Sequence, residues 1–228
     1  MSLQTIINNS TGISIDRRKM VGIQYTRNQQ SRTSATPTLN PWRFSIELPT
    51  QLKYGDSRSL LESIDALDRI YNEEIMFGNV PCMSWIFRYQ GAMTVSQRNQ
   101  VRVQSFVGNK LILTNLPAIT STRVMFEPND LIQIGNYSHP FTSTTRVLRG
   151  TGSTVTVTTH RPNIITDSVT NLGITVGSSC KFNMFCPNMP TYKLFPGGTT
   201  YNAAGEMTGN ARIEWSSEFE LYEYFGDL

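Results

Sequence analysis

The chain has 228 residues, enough for one large domain or two small ones. Charged residues make up 16% of it and hydrophobic residues 39%, a balance that excludes an intrinsically disordered chain. The net charge of +3 is too small to indicate nucleic-acid binding by itself. The sequence shows no signal peptide and no stretch long and apolar enough to span a bilayer. We therefore expect the protein to be made and kept in a cytoplasm unless other machinery carries it.

The first fifty residues combine short strand patterns with an excess of positive charge. Strands are predicted at residues 12–15 and 20–25, whereas residues 29–39 are polar and without periodicity. This polar stretch predicts a long loop or arm, part of an extended hairpin that leads to the next strand, and long loops in compact domains are usually functional. Six basic side chains oppose two acidic ones here: Arg17, Arg18, Lys19, Arg27, Arg32 and Arg43.

A one-sided strand and a one-sided helix follow each other in the middle of the N-terminal half. Between two prolines, four apolar residues alternate with polar ones: Trp42, Phe44, Ile46 and Leu48. Apolar residues then recur at helical spacing over residues 57–71, with Ile64 at the centre of the stripe. Since each apolar face must be buried, we predict that this helix packs on the sheet that contains the strand.

The next part of the chain changes from mixed to strand-only patterns. Strands are predicted at residues 74–77 and 84–89, the second of which is expected to join the sheet of the Trp42 strand. From about residue 95 to residue 185 we find no convincing helix. Short strands separated by glycine-containing turns are predicted instead, at residues 102–106, 110–113, 131–134, 141–148, 154–159 and 181–185. Such spacing favours a small barrel or sandwich.

Strands are predicted at residues 191–195 and 212–222, where the sequence again resembles the part of the chain before residue 94. The predicted fold class is α+β, predominantly β, with a discontinuous arrangement. Residues 1–93 and 184–228 form a base domain of antiparallel sheet with one main helix. Residues 94–183 form an inserted all-β module, a small barrel or sandwich.

The C-terminal end is acidic, in contrast to the basic N-terminal end. Its acidic residues are Glu214, Glu218, Glu220, Glu223 and Asp227. Opposite charges at the two ends predict head-to-tail packing of identical subunits, and the alternative is two ordinary solvated faces. The candidate subunit-interface residues are Arg17, Arg18, Lys19, Arg27, Arg32, Glu214, Glu218 and Glu220.

No motif in the sequence indicates catalysis, a metal site or a cofactor. His139 and His160 are not spaced with cysteines or carboxylates as metal ligands would be. The three cysteines, Cys82, Cys180 and Cys186, lie in apolar contexts and are interpreted as reduced, buried thiols. Residues 97–102 mix arginines with Gln and Asn and could touch nucleic acid, but a solvated strand edge is the favoured interpretation. We expect no enzyme activity, no membrane partner and no specific nucleic-acid binding.

Several segments in order resemble a known family. They are a basic N-terminal strand, Pro41-Trp42-Arg43-Phe44, the helix pattern of residues 60–69, the Trp/Phe strand from Trp85 to Tyr89, the stretch from Asn129 to Gly135, Val147-Leu148-Arg149-Gly150, the stretch from Thr154 to Val157, and the stretch from Cys186 to Pro190. The order is similar to that of structural tail or baseplate proteins of tailed bacteriophages, especially contractile-tailed ones.

This resemblance implies a non-enzymatic, ring-forming virion subunit where the tail tube meets the baseplate hub. It also implies assembly in the host cytoplasm, contacts with other tail and baseplate proteins, and a hexamer, with a trimer next, because contractile tails have six-fold symmetry. No catalytic residues are carried over from the family.

Two other classes of function remain open from the sequence. A tail-tip receptor- or carbohydrate-binding protein would expose Trp and Tyr in a shallow groove, whereas burial of Trp42, Trp85 and Trp215 would count against it. A tail-associated cell-wall hydrolase would need a carboxylate pair in a cleft, and a turbidity-clearing assay tests that activity.

Overall fold

The computed structural model describes residues 2–16, 21–25, 31–35, 41–48, 52–67, 72–78, 80–188, 191–195, 203–204, 212–215 and 219–226. These residues are mostly strands in several antiparallel sheets with a few short helices, so the protein is β-rich. The helices are α1 (Ser2–Asn8), α2 (Tyr54–Leu67), α3 (Pro81–Ile86) and α4 (Val95–Gln100), with a 3-10 turn at Gly177–Ser179.

The strands in chain order are β1 (Gly12–Asp16), β2 (Val21–Tyr25), β3 (Ser31–Ala35), β4 (Arg43–Glu47), β5 (Leu52–Lys53), β6 (Glu73–Met76), β7 (Arg102–Val107), β8 (Lys110–Thr114), β9 (Val124–Phe126), β10 (Leu131–Ile134), β11 (Phe141–Thr142), β12 (Val147–Leu148), β13 (Val155–Thr158), β14 (Ile174–Val176), β15 (Lys181–Phe185), β16 (Tyr192–Phe195), β17 (Arg212–Trp215) and β18 (Phe219–Glu223). The predicted bounds of β10 and β15 are confirmed, and most other predicted strands differ by one or two residues at an end.

The contacts divide the chain into two compact units. The first contains the described residues of Met1–Asp16, Trp42–Ile75 and Asn183–Tyr224, and the second those of Arg17–Pro41, Met76–Phe182 and Phe225–Leu228. A five-stranded sheet with the order β1-β4-β18-β15-β6 forms most of the first unit, and a three-stranded sheet has the order β16-β17-β5. The second unit contains the sheets β13-β8-β7, β11-β10-β14 and β12-β9, and the hairpin β2-β3.

The predicted one-sided strand is confirmed in β4. Trp42, Phe44 and Ile46 are fully buried and Leu48 nearly so, since alternate side chains of a strand point to the same face. The rings of Trp42 and Phe44 lie parallel with centroids 5.9 Å apart. This face therefore forms part of the core of the first unit.

Helix α2 begins earlier than predicted, at Tyr54 rather than residue 57, and residues 68–71 lie outside the described part of the chain. Leu61 is buried in it, and α1 packs against α2. Helix α1 was not predicted from the sequence, and its Leu3, Ile6 and Ile7 are fully buried. A seven-residue segment has too few turns for its periodicity to be recognised.

The strand predicted at residues 84–89 is wrong, because α3 occupies the start of that segment. Pro81 lies in the first turn of the helix, where its missing amide hydrogen costs nothing. Met83 and Phe87 are both buried, and the Phe87 amide donates to the Met83 carbonyl oxygen at 2.9 Å. Their spacing of four follows a helical face, which a six-residue window did not separate from strand alternation.

The region from residue 95 to residue 185 is not free of helix, contrary to the prediction. Helix α4 covers most of the stretch that was interpreted as a strand edge, residues 97–102. Thr94 and Gln97 form a capping box, each side chain bonding the other's backbone amide. The expectation of a helix-free module therefore fails at its first residues, although the strands that follow are largely as predicted.

In the second unit, one predicted strand is split in two and two short strands were not predicted. The strand predicted at residues 141–148 is split into β11 and β12, which pair with β10 and β9 respectively. Strands β9 and β14 were not predicted, since each has only three residues. Their apolar side chains nevertheless join the continuous core of this unit, together with Phe106, Phe141 and Val157.

Candidate subunit interface

The N-terminal arm is an excursion from the edge of the five-stranded sheet. Strands β1 and β4 pair in antiparallel register, and their last partners are Asp16 and Arg43. The chain leaves the sheet after Asp16 and returns at Arg43. Within this excursion β2 and β3 form a hairpin whose register runs from Val21 opposite Ala35 to Tyr25 opposite Ser31.

The prediction of a long loop or arm at residues 29–39 is therefore wrong for residues 31–35, which form the regular strand β3, while the rest of that range lies outside the described residues. The polar sequence Ser-Arg-Thr-Ser-Ala hid it, because β3 lacks the apolar alternation by which a half-buried strand is recognised. Among the described residues, β2 and β3 pair with each other and with no other strand. Each strand thus presents one side of its backbone without a ladder partner among these residues.

Five of the candidate interface residues lie outside the described part of the chain: Arg17, Arg18, Lys19, Arg27 and Glu218. Arg32 lies on β3 opposite Gln24, and only its backbone is described. Their proposed role as interface residues stays a prediction. The structure does place Arg32 on the hairpin itself.

Glu220 is engaged within its own chain. Its carboxylate accepts a hydrogen bond from the Arg43 guanidinium on the neighbouring strand β4 and another from the Tyr222 hydroxyl at 2.7 Å. The Arg43 guanidinium also lies 5.2 Å from the centroid of the Tyr222 ring. The hydrogen bonds from Tyr222 and Arg43 lower the pKa of Glu220, and the bond to Glu220 raises the pKa of Arg43. A contact of Glu220 with a second subunit would therefore add to an existing ion pair.

Of the other acidic residues at the C-terminal end, the two that the structure describes differ in exposure. Glu214 is exposed on β17, where its register partner is Lys193 of β16. Glu223 is only 4% exposed, and its carboxylate accepts the backbone amide of Trp42 at 2.9 Å. The expectation of a uniformly acidic end is thus wrong at Glu223, because its position on β18 points the side chain to the buried face.

The most exposed large apolar side chains of α3 were missed by the sequence analysis. Trp85 is 75% exposed and Ile86 is 45% exposed. Both were assigned to a strand of the base sheet, so their exposure follows from the helix that the segment forms instead. Trp42, in contrast, is fully buried. The side chain of Trp215 is not among those that the structure describes.

The histidines have structural positions. His139 is buried, and His160 Nδ1 accepts the backbone amide of Thr142 at 2.9 Å. An acceptor nitrogen carries no proton, which places the ring hydrogen of neutral His160 on Nε2. Among the described residues, no group of three or more His, Cys, Asp or Glu side chains could hold a metal ion.

The cysteines differ in burial. Cys180 is buried, as expected, and burial raises the pKa of its thiol well above its ordinary value. Cys186 is only partly buried, contrary to the expectation, and burial raises its pKa to about 11. Its thiol lies 3.1 Å from the Asn188 carbonyl oxygen. Both groups carry their proton near neutral pH, and the Cys82 side chain lies outside the description.

No protein-family model matches this chain, and no curated protein matches it. Within the described part of the chain, no helix has both the length and the apolar character needed to cross a membrane.

Proposed function

We propose that this protein is a virion structural protein of a contractile-tailed bacteriophage, a non-enzymatic subunit of a ring at the baseplate hub or tail-tube junction. The hairpin β2–β3 is the observation that carries the proposal. It is inserted between two paired strands of one sheet and, among the described residues, pairs with no other strand. A two-stranded hairpin by itself is marginally stable in water, so a neighbouring surface is the natural support for it.

The proposal includes a division of the chain into a base and an inserted module. Residues 1–93 and 184–228 form the base, with α2 as its main helix against the sheet, and residues 94–183 form an inserted small barrel or sandwich. The sheets of the second unit and their common apolar core support the inserted module. In the assembled tail this module contacts other tail or baseplate proteins, while the base carries the contacts between identical subunits.

The ring contact is head to tail. The hairpin and the basic residues that flank it, Arg17, Arg18, Lys19 and Arg27 among them, reach a neighbouring copy. Glu214, which is exposed, supplies negative charge on the neighbour, together with Glu218 and the ion-paired Glu220. A head-to-tail contact closes into a ring when the rotation between subunits divides a full turn. The family resemblance favours six subunits, and three is the next choice.

The role of the N-terminal arm in the subunit contact is tested by asking whether tails assemble from altered subunits. Deletion of residues 29–35 removes β3, and the double substitution Arg17→Glu and Arg18→Glu reverses the charge at the start of the arm. We expect each change to prevent tail assembly and infectivity, because each removes one side of the subunit contact. Electron microscopy of lysates and plaque counts measure the result.

A matched charge reversal separates the arm from general effects. Arg88 and Arg123 are exposed in the second unit, and Arg88→Glu with Arg123→Glu changes the net charge by the same amount. Tails should assemble normally with this control. Normal tails from both arm variants would mean that the arm is ordinary solvated surface and would remove the ring contact as proposed.

A second candidate function is binding of a receptor or carbohydrate at the tail tip. The exposure of Trp85 favours it, since aromatic faces open to solvent stack on sugar rings and peptides. The burial of Trp42 counts against it. A Trp fluorescence titration with host surface glycans distinguishes the two proposals, because a ring subunit shows no saturable change.

A further inference from the structure

A cluster of aromatic and cationic side chains surrounds Phe225 in the second unit. The imidazole of His139 stacks on the Phe225 ring, with centroids 5.5 Å apart and planes 15° from parallel. The Arg161 guanidinium lies 5.8 Å from the centroid of Phe225 and 5.1 Å from that of Phe141. We call His139, Phe141 and Arg161 the aromatic socket.

The socket residues are almost completely removed from solvent. Arg161 is 1% exposed, His139 is 3% exposed and Phe141 is fully buried. A buried guanidinium is costly unless polar groups or ring faces replace its water. One nitrogen of Arg161 donates to the Pro140 carbonyl oxygen at 3.1 Å, and the two phenyl rings supply cation–π contacts. Phe225 is therefore one of the groups that make the burial of Arg161 tolerable.

The local backbone of the socket is held by hydrogen bonds in which Phe225 takes no part. The Thr142 amide donates to His160 Nδ1 at 2.9 Å, and the His160 amide donates to the Thr142 carbonyl oxygen at 3.0 Å. These two bonds hold Phe141 and Arg161 next to each other on adjacent segments. Phe225, in contrast, lies beyond the end of β18 and is only partly buried. The socket and Phe225 are therefore supplied by parts of the chain that are far apart in sequence.

We propose that the aromatic socket is a binding site for one aromatic side chain on an extended peptide segment, and that the chain fills it with its own Phe225. The described residues 225 and 226 then act as a strap on the second unit. The ligand class is thus a single aromatic side chain.

Hydrogen–deuterium exchange of the full chain tests the strap. In Phe225→Ala, the amides of His139, Phe141, Thr142, His160 and Arg161 should exchange roughly five- to thirty-fold faster, because the closed state loses one aromatic contact and opening becomes easier. Phe225→Tyr should restore slow exchange, since it keeps the ring. Val107→Ala, an exposed position in the same unit, is the control and should change nothing at these amides. Unchanged exchange in Phe225→Ala, or an equal rise throughout the chain, would overturn the proposal.

A peptide in trans tests the socket as a binding site. A synthetic peptide of residues 219–228, added to the Phe225→Ala chain, should slow exchange at residues 139–142 and 160–161 in a saturable way. The same peptide with Ala at position 225 should have no effect. If the two peptides act equally, or if neither protects these amides at millimolar concentration, the socket does not recognise the aromatic ring.

Discussion

Asp130 holds two backbone segments together through its two carboxylate oxygens. Oδ1 accepts the Gln90 amide at 2.9 Å and Oδ2 accepts the Glu127 amide at 2.8 Å, while the residue is 3% exposed. Burial raises the pKa of Asp130 above its ordinary value of 3.8, although both hydrogen bonds act in the opposite direction. The Asp130 carboxylate therefore positions both segments, and its contribution to the free energy of unfolding depends on pH.

Asp130→Asn should destabilise the protein by about 1–3 kcal/mol near neutral pH, because the amide nitrogen of Asn cannot accept the second backbone hydrogen bond. The pH dependence has a defined sign. A raised folded-state pKa means that the folded protein binds the proton more tightly, so wild type gains stability as the pH falls through the raised pKa towards 3.8. Asn does not titrate, and the stability advantage of wild type should therefore grow over that window.

Urea unfolding of both proteins at several pH values between about 7 and about 4 measures this advantage. Asp65→Asn on the exposed face of α2 is the control for the substitution itself and should change the free energy of unfolding by less than about 0.5 kcal/mol near neutral pH. A difference between wild type and Asp130→Asn that stays constant with pH, or shrinks as the pH falls, would contradict the assigned role of burial.

At the scale of the elements, helix α2 buries the side chain of Leu61. Leu61 is 5% exposed, whereas Arg58 and Glu62 lie on the solvent side and form an i,i+4 ion pair at 2.9 Å. Ile64, the predicted centre of the stripe, has its side chain outside the description. The packing of α2 on the five-stranded sheet remains a prediction, while its packing against α1 is observed.

Leu61→Ala should lower the free energy of unfolding by about 2–5 kcal/mol, from lost transfer energy and the cavity left behind. Arg58→Ala is the matched control on the same helix, and it should cost less than about 1 kcal/mol because exposed ion pairs contribute little. Thermal and urea unfolding measure both. If the two substitutions cost the same, α2 does not bury its apolar face as described.

At the scale of the whole molecule, the bounds of the two compact units differ from the predicted domains at residues 17–41, at residue 183, at residues 225–228 and at residues 76–93. Residues 76–93 were assigned to the base, but Phe77 and Phe87 contact Phe182, with ring centroids 5.3 Å and 5.8 Å from it. All three belong to the second unit. The predicted excision points would separate this aromatic cluster, whereas the observed unit bounds keep it together.

Two deletions compare these boundaries. Joining Ile75 to Asn183 through a short Gly/Ser linker removes the aromatic cluster whole, whereas joining residue 93 to residue 184 leaves Phe77 and Phe87 without Phe182. We expect the first variant to keep a cooperative unfolding transition and to be more stable than the second, by circular dichroism and dispersed amide resonances. A wholly unfolded first variant would mean that the two parts require one common core.

What the sequence determined by itself is the local pattern. Alternation with period two placed Trp42, Phe44 and Ile46 on one buried face, and the bounds of β10 and β15 followed from apolar runs between turn residues. These features depend on neighbours in the chain, which the sequence shows directly. Short elements such as α1, β9 and β14 were missed because they contain too few residues to establish a period.

Only the tertiary structure decided which strands meet and which side chains remain available. Residues 212–222 follow one alternating pattern, yet β17 joins β16 and β5 while β18 joins β4 and β15. That choice buries Glu223 against the Trp42 amide and pairs Glu220 with Arg43. Strand order depends on contacts between residues far apart in the chain, and a local pattern is equally compatible with several orders. The surface charge of the C-terminal end was therefore fixed by folding rather than by composition.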